Sequence, residues 1–320
     1  MDCHVAVDVG NKYVQTMSAS TNRAYVDERG RRMEDAHAVL RQGKTLHVLV
    51  ADGHGSTEVT RGSFVGGRES AEAAVEEASR AMRTKEEADY EVFAKAADAV
   101  SRLAFGTRTR MVDGCVQVET HGSSWQTSIH GSTLTVATLR GKKMSSVLHV
   151  GDSVAVCVDS SGAASKVGRE HTVRNEAERE RMRRGGARVR KRYFQCRMGK
   201  EQYDCQLSRS LGHVGDDLVL DVPEKASLPH DWRFLLVGTD GVWDHVSVEE
   251  VQRACEAASD AKEAASRVME TVLRNAKHST RDNATLVVVR RRSLTGSSRW
   301  FRRRISAVRH FKWRTGGSPT

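Results

Sequence analysis

"HVLVADGHGS", residues 47–56, runs four apolar residues, Val48, Leu49, Val50 and Ala51, straight into an acid, two glycines and a histidine. The apolar half has the composition of a buried strand, and Asp52-Gly53 reads as its abrupt end. An Asp-Gly pair between strands signals a hairpin, so a simple turn is the first reading. The continuation "HGSTEVTRGS" is no return strand, however. The pattern also recurs: "FLLVGTDGVWD" carries Phe234 to Val237 into Asp240-Gly241, and "VLHVGDS" carries Val147 to Val150 into Gly151-Asp152. After Asp240-Gly241 the chain reads as entering a helix, so the turn reading loses its support at both Asp-Gly pairs.

Two more acidic clusters flank apolar runs. "MEDAHAVL" puts Glu34 and Asp35 before one, and "RDNATLVVV" puts Asp282 before another. Carboxylates at several strand ends can converge on one rim of a sheet assembly. Such a cluster repels itself unless a hard cation fills it, and all-oxygen ligation favours Mg²⁺ or Mn²⁺ over zinc. A merely solvated acidic rim is the alternative on spacing alone.

The rest of the chain supplies the frame. From residue 68, Ala71, Ala74, Val75, Ala78, Ala81 and Met82 recur at helical spacing, and Phe93, Ala96, Ala97, Val100 and Ala104 form a second apolar stripe. Core packing is the ordinary meaning of both. Short β-rich runs follow: "STLTVATL", "SSVLHV", "VAVCV", "RFLLVG" and "ATLVVVR". Strands, then two long helices, then more strands argue for α+β layers and against regular βαβ alternation. Ser247 and Glu250 form a capping box that predicts a helix from 248, and a last helix is expected over about 258–275.

The chain has 320 residues, 38% hydrophobic and 29% charged, enough to bury a sizeable core. No stretch approaches the roughly 18 consecutive apolar residues of a membrane span. The start, "MDCHVAVDVGNKY", lacks the pattern of a secretory signal, and Asp2 stands where N-myristoylation needs glycine. Six scattered cysteines without a Cys-x-x-Cys pair predict reduced thiols in the cytosol or nucleus. The net charge of +10 is carried by residues 290–320, with nine Arg, one Lys and no acid, so residues 1–289 are neutral. That average gives no clue to the main domain's substrate.

At its acidic motifs the chain resembles the metal-dependent protein serine/threonine phosphatases of type 2C. The matching stretches run from Met33-Glu34-Asp35-Ala36-His37 through Asp52-Gly53-His54-Gly55, Gly131-Ser132-Thr133, Gly151-Asp152-Ser153 and Gly185-Gly186. They continue with Ser208-Arg209-Ser210-Leu211-Gly212, Asp240-Gly241-Val242-Trp243-Asp244 and Asp282-Asn283. All eight come in family order across about residues 25–291. The resemblance implies an α-β-β-α sandwich of two antiparallel sheets flanked by helices, a catalytic domain over 1–292 and a basic tail over 293–320.

It also implies a site for two Mg²⁺ or Mn²⁺ ions. Asp52 would bridge them, with Asp240 and Asp282 on one, Glu34 and the Gly53 carbonyl on the other, and Asp35 reaching them through water. Asp152 and Asp244 match acids that hold a weaker third ion in relatives. Gly53 is expected to leave room for the ion, and His54 inherits the role of general acid to the departing serine or threonine oxygen. The activity implied is hydrolysis of phosphoserine and phosphothreonine in phosphoprotein substrates by metal-activated water.

Three departures stand out. The family's phosphate-binding arginine falls at Gly30, flanked by Arg29, Arg31 and Arg32, and Arg31 is the expected substitute. Leu211-Gly212-His213 replaces Leu-Gly-Asp, and Ser153-Val154 replaces Ser-Arg. Segments 106–130 and 192–207 read as long loops, suited to substrate or partner choice. The displaced arginine favours the alternative of a catalytically weak scaffold or phosphoprotein-binding module. In the tail, Phe301, Ile305, Val308 and Phe311 align on one helical face among basic residues, which predicts contact with an anionic membrane surface, an acidic partner or nucleic acid. The expected location is cytoplasmic, or nuclear or peripheral-membrane if the tail directs it, and the expected state is a monomer.

Overall fold

A computed structural model describes residues 2–8, 13–14 and 33–291, except 56, 61–62, 106–107, 114, 121–123, 141–143, 199 and 277–281. The tail and Arg31 lie outside the described residues. Two antiparallel sheets form the centre. In the first, the Thr45–His54 strand is flanked by Asp35–Gln42 on one side and by Leu134–Arg140 with Gly131–Ser132 on the other. Ser146–Val150 and then Glu224–Ser227 extend it beyond Leu134–Arg140. The second runs Ala164–Val167, Val154–Asp159, Trp232–Gly238, Ala284–Arg290, Asp2–Asp8 and Tyr13–Val14.

Strand side chains alternate between faces, and that alternation sorts the apolar residues into three layers. Leu46, Val48 and Val50 meet Ala155, Cys157, Leu235, Val237, Val287 and Val289 between the sheets. Leu49, Ala51, Val136 and Leu148 face outward, against α1 (Gly67–Met82) and α2 (Tyr90–Phe105). On the far side, Val156, Phe234, Leu236, Leu286 and Val288 pack under three more helices. These are α4 (Asp240–Trp243), α5 (Val248–Ala257) and α6 (Ala261–Asn275). The protein is therefore an α-β-β-α sandwich. Burying each Val or Leu of these layers contributes about 1.5–3 kcal/mol.

The helices fall where the apolar stripes place them. The Ser247–Glu250 capping box starts α5, and Asp260 caps α6 by accepting from the Glu263 amide at 2.8 Å. Two expectations need correction. Asp52-Gly53 does not end its strand: Gly131–Ser132 continues the ladder to His54, opposite Gly53 and His54. Among their described residues, segments 106–130 and 192–207 hold strands and are not loops throughout. The first carries the three-stranded sheet of Thr109–Val112, Cys115–Glu119 and Trp125–Thr127. In the second, Phe194–Met198 pairs with Glu201–Cys205 and with Arg188–Val189.

This second small sheet and α3 (Glu176–Arg184) share a core of Val173, Met182, Ala187, Phe194, Cys196, Cys205, Leu207 and Val219. Cys157, Cys196, Cys205 and Cys255 are free and buried, and burial pushes each thiol up to about 12. Among the described residues no helix is long and apolar enough to cross a membrane.

Candidate active site

The site is built where the first sheet reaches the rim. Pairing of Asp35–Gln42 with Thr45–His54 sets Asp35 opposite Asp52, so two acids face one another across adjacent strands. The Gly131-Ser132-Thr133 segment then pins the Asp52 backbone. Its amide donates to Thr133 Oγ1 at 2.9 Å, and its carbonyl accepts from the Thr133 amide at 2.8 Å and Ser132 Oγ at 3.1 Å. Thr133 Oγ1 also lies 2.7 Å from Ser153 Oγ, which ties this segment to the Gly151-Asp152 turn.

From the second sheet, Asp240 opens α4 and Asp282 precedes the Ala284–Arg290 strand. Asn283 joins the two halves: its Oδ1 accepts from the Glu34 amide at 2.7 Å, while its own amide donates to Asp282 Oδ1 at 2.7 Å. The Gly53 amide donates to the Glu34 carbonyl at 3.1 Å. The Glu34 carboxylate and the Gly53 carbonyl converge on Gly67, where an added Cβ would lie 2.2 Å from Glu34 Oε1 and 2.9 Å from the Gly53 oxygen.

This contact gives a further reason for glycine at 53. A Cβ there would sit 1.7 Å from the Gly67 carbonyl oxygen, so glycine is required by the close approach of α1. Likewise Gly241 is needed because a Cβ would lie 1.9 Å from the Asn283 carbonyl oxygen.

Glu34, Asp52, Asp152, Asp240 and Asp282 all line one cavity of about 330 Å³, together with the Gly53 backbone and His54. Tyr203, Asp204, Gln206, Leu207 and His213 are among the other residues of its wall. Burial pushes the Asp35 carboxyl up to about 8 against the hydroxyls of Thr285 and Thr239, and the charges of Asp282 and Asp240 add to the rise. Burial also raises Asp52 well above its ordinary value, reinforced by Asp35, Asp240, Asp282 and Asp152. Asp240 rises to about 6, first by burial and then by Asp282. Asp152 is raised by burial and Asp240.

Asp35 lies behind this wall, where one oxygen accepts from Thr239 Oγ1 at 3.0 Å. Asp35 Oδ1 and Asp240 Oδ1 are buried without a hydrogen-bond partner. Unpartnered, self-repelling, all-oxygen donors are what a hard divalent cation would satisfy, so the donor set fits Mg²⁺ or Mn²⁺. As they stand, however, no three or more His, Cys, Asp or Glu side chains among the described residues are grouped closely enough to hold a metal ion. Interaction with the Asp52 carboxyl offsets part of the rise at Asp240.

His54 Nε2 lies 2.8 Å from His213 Nε2 and 3.3 Å from Ser210 Oγ. Burial, helped by His130, holds its ring down to about 4, so it is neutral near pH 7. Asp244 is set apart: Arg174 Nη1 and Nη2 hold its Oδ1 at 3.2 and 3.3 Å. It lines an adjoining cavity of about 350 Å³ that shares Asp152 and Asp240 with the first. The acids expected at the site are thus gathered at one rim, with Asp35 behind it and Asp244 beside it. The sequence reading missed Gly67, Thr239 and His213 as neighbours. Gly67 carried a signal as one of two glycines opening a helix, and His213 as the departure from Leu-Gly-Asp; Thr239 carried none.

Residues 24–285 match the protein phosphatase 2C family. The chain is 30% identical over 176 residues to "Probable protein phosphatase 2C 21" of Oryza sativa subsp. japonica, covering 51% of this chain and 49% of that one. It is 32% identical over 173 residues to "Probable protein phosphatase 2C 59" of Arabidopsis thaliana, covering half of each. The chain thus spans about half the length of the plant relatives it matches. Its fold is similar to the serine-threonine phosphatase 2C from Toxoplasma gondii, with a TM-score of 0.57 at 15% identity over 90% of this chain and 94% of that one. The chain belongs to the protein phosphatase 2C family, whose members are in general metal-dependent.

Proposed function

We propose that the protein is a metal-dependent phosphatase of phosphoserine and phosphothreonine in proteins, its catalytic domain spanning 1–292. The observation that carries this reading is the gathering of Glu34, Asp52, Asp152, Asp240 and Asp282 around one cavity, with unpartnered Asp240 and Asp35 oxygens. Asp52 would bridge two Mg²⁺ or Mn²⁺ ions, Asp240 and Asp282 would hold one, and Glu34 with the Gly53 carbonyl the other. Asp35 would orient water behind them, and Asp152, with Asp244 once freed from Arg174, would hold a weaker third. When bound, such ions lower the pKa of water and neutralise phosphoryl charge. The backbone pins at Asp52 and Glu34 keep the carboxylates in place. His54 would pass a proton from its ring to the leaving oxygen, and an arriving phosphate dianion favours its imidazolium.

Hydrolysis of a phosphothreonine peptide is expected to stop in EDTA and return with excess Mn²⁺; turnover that resists the chelator would sink the two-metal reading. A protein that binds phosphopeptide without turnover would instead match the scaffold alternative. His54→Gln should lower kcat by roughly 10²-fold on the peptide and much less on an aryl phosphate, whose leaving group needs little protonation. Equal losses would assign His54 a structural role. The monomeric domain would be cytoplasmic, with tail 293–320 directing it to an anionic surface; equal sedimentation of residues 1–292 and the full chain with anionic vesicles would refute that part.

A further inference from the structure

The two cavities at the rim meet at Asp152, Asp240 and Gln206. The second is acidic where it joins the first, yet it is also walled by Lys191 and Arg192. Those two residues form the apex of a tight hairpin. The Arg190 amide donates to the Tyr193 carbonyl at 2.9 Å, and Val189 pairs with Phe194 immediately below. Phe194 is fully buried in the small core under α3, so the apex stands on a fixed base.

Both apex side chains are exposed and have no ion-pair partner among the described residues. Arg188, Arg190 and Arg197 of the same small sheet likewise have no ion-pair partner among the described residues, whereas several cations outside it do. On α3, Arg179 pairs with Glu176 at 2.9 Å and Arg184 with Glu180 at 2.9 Å. Arg174, in the same cavity wall, is engaged by Asp244 at 3.2 Å and Glu170 at 3.6 Å. The imbalance is local: residues 185–206 carry six basic residues against two acidic ones, while residues 1–289 as a whole are neutral.

Two unpaired cations fixed beside the reaction cavity attract an anion that extends from it. Tyr203, Gln206 and Leu207 wall the reaction cavity, and Gln206 continues into the second, so a peptide leaving the first cavity along this wall reaches the apex. We propose that Lys191 and Arg192 form an anion-recognising subsite. It selects phosphoserine or phosphothreonine peptides that carry an acidic residue, or a second phosphate, beside the scissile one. The proposal rests on the phosphatase reading above. Arg192 offers a planar fork and Lys191 a mobile point charge, a pair suited to either carboxylate or phosphate.

The test compares kcat/KM of the full chain with Mn²⁺ on three phosphothreonine peptides, flanked by neutral residues, by Asp and Glu, or by a second phosphothreonine. Wild-type protein should prefer the anionic flanks by about 10-fold at low salt, and less at high salt. In the double variant Lys191→Ala/Arg192→Ala that ratio should fall to about one, whereas Lys191→Arg/Arg192→Lys should keep most of it. Preference for the doubly phosphorylated peptide alone would identify phosphate as the ligand, and preference for both would identify negative charge. No preference in wild-type protein, or the same ratio in the alanine variant, would overturn the subsite. If no peptide and no aryl phosphate is turned over, the phosphatase reading itself fails. Fluorescence anisotropy of the same labelled peptides then decides the subsite, because the anionic flank must still bind more tightly to wild type than to the alanine variant.

Discussion

The Thr45–His54 strand has two halves with opposite chemistry. In the interior half Val48 and Val50 meet the second sheet while Leu49 and Ala51 meet α1 and α2, and all four are fully buried. In the rim half the ladder continues without interruption, yet Asp52 and Gly53 bring a carboxyl among four other acids and a carbonyl against Glu34 and Gly67. Hydrophobic burial stabilises the first half directly. In the second, the same rigid backbone holds ionisable groups in poorly hydrated ground, where lack of water favours their neutral forms. Stability and the proposed metal binding would therefore come from adjacent residues of one strand, and substitutions in the two halves should behave differently.

The largest separation is expected from Asp52→Asn. Activity on a phosphothreonine peptide should fall by on the order of 10³-fold or more, because both proposed ions lose a ligand. The metal-free variant should nevertheless melt at a higher temperature than wild type, since a self-repelling buried acid is gone. A variant that loses stability along with activity would make Asp52 a structural residue. Asp152→Asn should act more mildly, mainly raising the Mn²⁺ concentration required.

Leu49→Ala should do the reverse. Opening a cavity under α1 and α2 is expected to cost about 2–5 kcal/mol in denaturant unfolding. Mn²⁺ affinity by calorimetry should hardly change, and a matching loss of affinity would mean that the two halves are not separable.

The smallest effect is a pH trend in the metal-free protein. Asp35 and Asp240 are raised to about 8 and about 6, so the stability they contribute is intact below their ordinary 3.8 and is lost as pH rises through those values. The depressed histidines run the other way: His54, held down to about 4, loses its contribution only as pH falls from 6.5 through that value. Between about pH 6.5 and 8 the acids therefore dominate, and Tm in EDTA should drop by about a few degrees. Asp35→Asn should flatten that slope; an unchanged slope would place its origin elsewhere.

Much of the interior was legible because burial writes itself into alternation. Val48 and Val50 against Leu49 and Ala51, and Leu286 and Val288 against Val287 and Val289, sort to opposite faces as a period of two requires. The end of the first strand was misread because apolar composition marks burial, whereas the ladder depends on hydrogen bonding, which Asp52 and Gly53 supply as well as valine does. Thr109–Val112 read as loop for a related reason: its residues Arg110, Met111 and Val112 are exposed, so no alternation marks it.

The rim acids were legible as acids at strand ends. Their ties through Thr133, Thr239 and Asn283 were not, because such contacts link residues far apart in sequence by single hydrogen bonds. The basic apex at Lys191 and Arg192 was hidden by averaging charge over residues 1–289, since the surplus is confined to about twenty residues that only folding sets beside the acids.

The order of strands also bears on how the molecule is made. Asp35–Gln42 and Thr45–His54 meet through a two-residue turn at Gly43, whose φ of +55° suits glycine, so this hairpin can close early on a growing chain. Ala284–Arg290, by contrast, enters between Trp232–Gly238 and Asp2–Asp8, pairing with both. The second sheet has a slot at its centre until almost the whole domain has emerged, and its N-terminal strand waits for a partner from the far end of the sequence. Such long-range closure is slow and leaves strand edges open meanwhile. Asp282 stands just before Ala284–Arg290, so the acid cluster around Asp52 is complete only when that central strand is in place.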